Sequence, residues 1–218
     1  MSRDSHIGKR KGRNNAELRK PEIGYYLIVT DTKETEKNYF TGLKKSLMIS
    51  LPCSEEELNS KIQIVVKKTE TRNLVEFCRN ERNTRPQYCD AWIVFDRDKV
   101  LNFDNIISSA IQSDIHVAWS NPCIETWFFG YFGSLPATPT SVICCKKFGE
   151  KFKAKMGQTY EKDDPDIYAK LRKFSTDSKV VEIAKARHKQ FLCEGCHKPS
   201  EMIPCTTMYE IVESILNL

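Results

Sequence analysis

Short apolar runs and amphipathic stretches alternate along the first 135 residues. Tyr25-Tyr26-Leu27-Ile28-Val29 is aromatic and β-branched without polar interruption, the pattern of a strand covered on both faces. Ile62 to Val66, Ala91-Trp92-Ile93-Val94-Phe95 and Ile115 to Trp119 repeat it. Between the runs lie helical stripes: Tyr39, Phe40, Leu43 and Leu47; then Leu74, Val75, Phe77 and Cys78; then Phe103, Ile106, Ile107, Ala110 and Ile111. A further helix is expected to start near Pro122. Strands near 25–30, 62–66, 91–96 and 115–119 separated by helices predict βαβ units and a parallel sheet, an α/β fold.

The alternation stops near residue 135, where Pro136 and Pro139 break the chain. From 144 onward the pattern is helical, so residues 136–218 are expected to form a mainly helical C-terminal part packed on an α/β domain of residues 21–135. The last helix carries Met208, Ile211, Val212, Ile215 and Leu216 on one stripe, and Thr207 with Glu210 three residues later has capping-box spacing. His116 falls inside the fourth strand, which favours a buried, hydrogen-bonded histidine over a catalytic one.

Charge adds a third region. Residues 1–20 hold seven basic side chains against two acids, a net +5 that equals the net charge of all 218 residues. This basic segment reads as a tail, either a solvated leader or an arm for a phosphate backbone through Lys9, Arg10, Lys11 and Arg13. No apolar window has the length of a signal peptide core or a membrane helix, so a cytoplasmic protein with no membrane association is expected. Nine cysteines, an odd number, then read as reduced thiols.

The chemistry suggested by the pattern is acidic. Ligands of an open parallel sheet bind beyond the carboxyl ends of its strands. There the sequence places Asp31, with Glu34 and Glu36 following, Asp96 and Asp98 around Arg97, and Glu125 after Ser120-Asn121-Pro122. Oxygen ligands clustered this way suit Mg²⁺ or Mn²⁺, which takes one or two carboxylates and keeps waters or substrate phosphate. Such an ion polarises a phosphoryl oxygen and acidifies bound water. The bland alternative is structural: aspartates at strand ends cap helices or bind loop amides, and first-turn glutamates compensate the helix dipole.

Three segments together resemble the RloB-like family. They are Leu27-Ile28-Val29 with Glu34-Thr35-Glu36-Lys37-Asn38-Tyr39-Phe40, Val94-Phe95-Asp96-Arg97-Asp98, and Ser120-Asn121-Pro122-Cys123-Ile124-Glu125-Thr126-Trp127-Phe128. The likeness continues through Tyr160-Glu161-Lys162, Asp166 to Leu171 and Pro204 to Tyr209, so it covers about residues 25 to 215. The resemblance implies a Toprim-like (Rossmann-like) sheet flanked by helices. In Toprim domains a glutamate after strand one serves as general acid or base and an Asp-x-Asp holds Mg²⁺. Members are associated with restriction and abortive-infection loci, often beside a separate ATPase, and are expected to be nucleases. The chain departs from the family after strand one, with Thr30-Asp31-Thr32-Lys33 in place of Cys-Glu-Gly-Glu. The shorter aspartate changes the reach to a substrate oxygen by over an ångström, a scale on which proton transfer is sensitive.

The reading that follows is a metal-dependent nuclease, cutting DNA or RNA in antiviral defence. Asp31, Asp96, Asp98 and Glu125 are the expected metal ligands. Asp31, Glu36, Glu125 and Lys170 are the catalytic candidates, and Lys162 is a phosphate contact. The alternative is a catalytically degenerate Toprim module that binds nucleic acid or a partner ATPase and regulates it. Cys193, Cys196, His197 and Cys205 have spacing compatible with zinc, against a redox pair or ordinary loop thiols. The haem-attachment reading of Cys193 to His197 is set aside for want of an export signal. Cys144 and Cys145 read as packing residues. No nucleophile elbow or phosphate-binding glycine loop occurs, so the chain is not read as an ATPase itself.

Overall fold

In the computed structural model, residues 24–31, 34–50, 54–67, 70–98 and 100–217 are described. The basic segment 1–20 lies outside them. Five strands form one sheet: β1 Tyr26–Thr30, β2 Ile62–Val66, β3 Asp90–Asp96, β4 His116–Asn121 and β5 Cys205–Thr206. Their order is β2-β1-β3-β4-β5. The first four are parallel and β5 pairs antiparallel with β4. The nine α-helices among the described residues are α1 Thr35–Ser50, α2 Glu55–Lys61, α3 Leu74–Thr84, α4 Phe103–Gln112, α5 Glu125–Gly130, α6 Ser141–Met156, α7 Ile167–Leu171, α8 Asp177–Cys193 and α9 Met208–Leu216. The arrangement is Rossmann-like, as expected.

Side-chain alternation divides the core into two layers. On β1, Tyr26 and Ile28 face one layer and Leu27 and Val29 the other; on β3, Trp92 and Val94 oppose Ala91, Ile93 and Phe95. The layer of Tyr26 and Trp92 is covered by residues of α1, α5, α6, α7, α8 and α9, including Tyr39, Trp127, Phe148, Tyr168, Val180 and Ile211. The other layer is closed by α3 and α4 through Leu74, Cys78, Phe103 and Ile107. Both faces are dry, which is why the strands read as unbroken apolar runs. The C-terminal helices share the first layer with the sheet. Two close contacts set that packing: α1 meets α7 at Gly42, and α5 meets α8 at Gly130 beside Val180.

Several expectations are corrected. The C-terminal part is mainly helical as expected, but Cys205–Thr206 adds an edge strand that the helical pattern from 144 onward did not suggest. Thr207 makes no cap with Glu210: its Oγ1 accepts from Trp119 N at 3.0 Å, so the sheet edge has taken the hydroxyl. His116 is exposed at the start of β4 and stacks on Trp92 at 4.7 Å, because the strand's first residue lies beyond the helices that cover its middle. Ile111, at the end of its stripe, is 66% exposed where α4 runs off the sheet. The helix expected near Pro122 begins at Glu125.

Candidate metal centre

The chain runs from β1 outward to β2 and returns to β3 on the other side of β1, so the crossovers diverge between β1 and β3. At such a switch point the carboxyl ends of the strands open into a crevice. Register places Thr30 opposite Val94, so Asp31 and Asp96 leave the sheet within two residues of one another. Asp96 follows Trp92 and Val94 on the layer covered by α1 and α5, which supply Glu36 and Glu125.

These four acids interact. Burial pushes the Glu36 carboxyl up to about 8, with the Asp31 and Glu125 charges adding to the effect. Burial raises Asp96 well above the usual carboxylate range, and Glu36, Glu125 and Asp31 push it further. Glu36 and Glu125 are both almost completely buried. Their Oε2 atoms have no hydrogen-bond partner in the protein. Asp31 Oδ2 accepts from Thr71 Oγ1 at 2.9 Å, just before α3.

Buried carboxylate oxygens of this kind repel unless protonated or neutralised. An all-oxygen donor set suits a hard divalent cation. Oxygens of Asp31, Asp96 and Glu125 would hold it, with Glu36 alongside. No three of these four bring ligand atoms within 4.8 Å of one another. As placed, one or two of the four could bind a single ion directly, so a tight all-protein cage is not formed.

A C-terminal segment closes the crevice. Tyr160 donates its hydroxyl to Glu125 Oε1 at 3.0 Å, and Lys162 Nζ lies 3.7 Å from the same oxygen. Burial disfavours the Lys162 charge, but Glu125 and Cys145 outweigh it and raise the lysine. Thr35 Oγ1 at the start of α1 donates to Lys162 O at 2.9 Å and fixes this segment over the acids.

Other sequence candidates are placed elsewhere. Asp98 is exposed, and its Oδ1 accepts from Ser141 Oγ at the start of α6. Lys170 Nζ is held by Asp164 Oδ2 at 2.7 Å. Among the described residues no three of Cys193, Cys196, His197 and Cys205 bring ligand atoms within 4.8 Å, so the four are not assembled for zinc. Cys205 is buried on the edge strand, whereas Cys193 is exposed at the end of α8. The α6 lysines Lys146, Lys147, Lys151, Lys153 and Lys155 form an exposed face.

Sequence reasoning passed over two features. Cys123 and Cys145 converge, with their sulfurs 3.9 Å apart, and together with Glu125 they are the one set of three potential ligands within 4.8 Å among the described residues. Tyr160 binds Glu125 from 35 residues away. Only the spacing of Cys123 and Glu125 across the entry to α5 hinted at the first.

No helix among the described residues is long and apolar enough to cross a membrane. Comparison with curated proteins and with solved structures gives no match. The family model described as RloB-like protein matches residues 26–215, and the chain therefore belongs to the RloB-like family.

Proposed function

We propose that this protein is a Toprim-class, Mg²⁺- or Mn²⁺-dependent nuclease that hydrolyses phosphodiesters of DNA or RNA in the cytoplasm, in antiviral or abortive-infection defence. The observation that carries the reading is the buried carboxylate group at the β1/β3 switch point, in which Glu36 Oε2 and Glu125 Oε2 have no donor. Catalytic sites are where such unfavourable placements persist.

The ion would sit among Asp96, Glu125 and Asp31, bound directly by one or two of them, with water or substrate phosphate completing its shell. A cation bound there polarises the phosphoryl oxygen and lowers the pKa of water. Glu36, buried beside these ligands, is placed to accept and return a proton. This assigns the acid–base role to Glu36 more than to Asp31, whose Oδ2 already accepts from Thr71. Lys162, with 60% of its side chain exposed beside Glu125, meets a phosphate oxygen at the mouth. The α6 lysines and the basic residues Lys9, Arg10, Lys11 and Arg13 add contacts to the nucleic-acid backbone. A separate ATPase subunit is the expected partner.

The test combines metal binding and cleavage. Mg²⁺ or Mn²⁺ at millimolar concentration should raise the melting temperature, since a ligand of the folded state stabilises it. Asp96→Ala should abolish both that shift and cleavage of DNA and RNA. A metal shift without cleavage supports the degenerate regulatory module. No shift, with activity intact in Asp96→Ala, overturns the site.

A further inference from the structure

We infer that Cys123, Cys145 and Glu125 form a thiolate-rich site for a soft divalent cation of the Zn²⁺ class, adjoining the carboxylate group and independent of whether that group cleaves nucleic acid. The three ligand atoms lie within 4.8 Å of one another. Zn–S bonds of about 2.3 Å at the tetrahedral angle give a sulfur–sulfur edge of about 3.8 Å. The two sulfurs are 3.9 Å apart, so the pair is already spaced to share an ion. A disulfide would require them to close to about 2.05 Å, a larger movement than metal binding asks of the pair.

The surroundings support one ion of this kind. Cys123 is 2% exposed and Glu125 fully buried, so both are held rigidly. Cys145 is half-buried and leaves access from the surface. Cys144 is outside this set of three; its sulfur lies 3.7 Å from Thr126 Oγ1. Two sulfurs and one oxygen prefer Zn²⁺ to Mg²⁺, whereas the all-oxygen group prefers Mg²⁺ or Mn²⁺. Glu125, with two oxygens, stands between the two. Each thiol binds as thiolate and gives its proton to solvent.

Lys162 marks the place where a cation is favoured. Its Nζ is 3.7 Å from Glu125 Oε1, and the charges of Glu125 and Cys145 favour its protonated form. With 60% of its side chain exposed, it can withdraw to solvent when a metal enters. The lysine and the metal therefore compete for Glu125.

The experiment titrates the reduced, full-length protein with Cd²⁺, followed by its thiolate-to-metal charge-transfer absorbance, with Zn²⁺ as competitor. One equivalent should bind, and the signal should persist in the Cys193→Ser/Cys196→Ser double variant. It should vanish in Cys123→Ser/Cys145→Ser. If circular dichroism shows that variant unfolded, Cys145→Ser alone, at a half-buried position, should lose affinity at least about tenfold. Lys162→Gln should bind about tenfold more tightly, because a like charge has been removed from the site. The inference is overturned by absence of the band, by its survival without Cys123 and Cys145, by its loss without Cys193 and Cys196, or by unchanged or weaker binding to Lys162→Gln. Because the readout needs no nuclease activity, its failure is separate from failure of the proposed function.

Discussion

Tyr160 donates its hydroxyl to Glu125 Oε1 at 3.0 Å, and its ring stands edge-on to Phe148 at 4.7 Å. One side chain thus ties the C-terminal helices to an acid of the crevice. Tyr160→Phe keeps the ring and removes the donor. The loss should cost about 1–3 kcal/mol, the penalty for leaving a buried acceptor short of a partner. A lower urea midpoint at unchanged m-value would report it; an unchanged midpoint would mean that Lys162 satisfies Glu125 alone.

Glu36→Gln tests the buried carboxylate directly. The amide fills the same space and carries no charge to repel Asp31, Asp96 and Glu125. Metal-free protein at pH 8 should therefore melt higher than wild type, while the Mg²⁺-induced rise in melting temperature shrinks and cleavage is lost. A variant less stable than wild type without metal would show that the Glu36 carboxylate is stabilised in a way the structure does not display.

The same group sets a pH dependence. Its folded-state pKa, about 8, lies above its ordinary value of 4.5. Between these values the folded state binds the proton that the unfolded chain has released, so stability falls as pH rises through this window. Asp96, shifted the same way, adds to the slope. Saturating Mg²⁺ should flatten or reverse it, because the ion binds the deprotonated acids. Melting temperatures from pH 5 to 8.5, with and without Mg²⁺, check both signs.

Gly42→Ala should destabilise the fold although alanine is the better helix former. An added Cβ would stand 2.5 Å from Tyr168 Cβ, an atom that cannot move without moving α7. The overpacking cost of about 1–3 kcal/mol should exceed the helix-propensity gain of about 1 kcal/mol. Denaturant unfolding measures the net sign.

Deleting residues 1–20 removes a net +5. If the basic segment contacts phosphates, the slope of log binding constant against log salt should become shallower by roughly one per lost contact. An unchanged slope would place the contacts on the folded body, with α6 the first region to examine.

The strands and their order along the chain are legible in the sequence, because a sheet covered on both faces demands apolar runs and its helices demand stripes. Asp31, Asp96 and Glu125 can be placed at strand ends by the same logic. What the sequence could not rank is which acids meet. Asp96 and Asp98 look equivalent in one dimension, yet the side-chain period of β3 sends Asp96 under α1 and α5, while Asp98 lies beyond the strand and meets Ser141. Glu36 appears as an ordinary first-turn acid until the packing of α1 buries it. Thr207 has the spacing of a cap, but the unpaired edge of β4 claims its hydroxyl. Cys145 and Tyr160 reach Glu125 and Cys123 from separate segments. Local periodicity fixes which face a residue occupies on its own element. Only the packing of those elements on one sheet decides which faces meet, and that is where the charges, thiols and hydroxyls of the crevice acquire their chemistry.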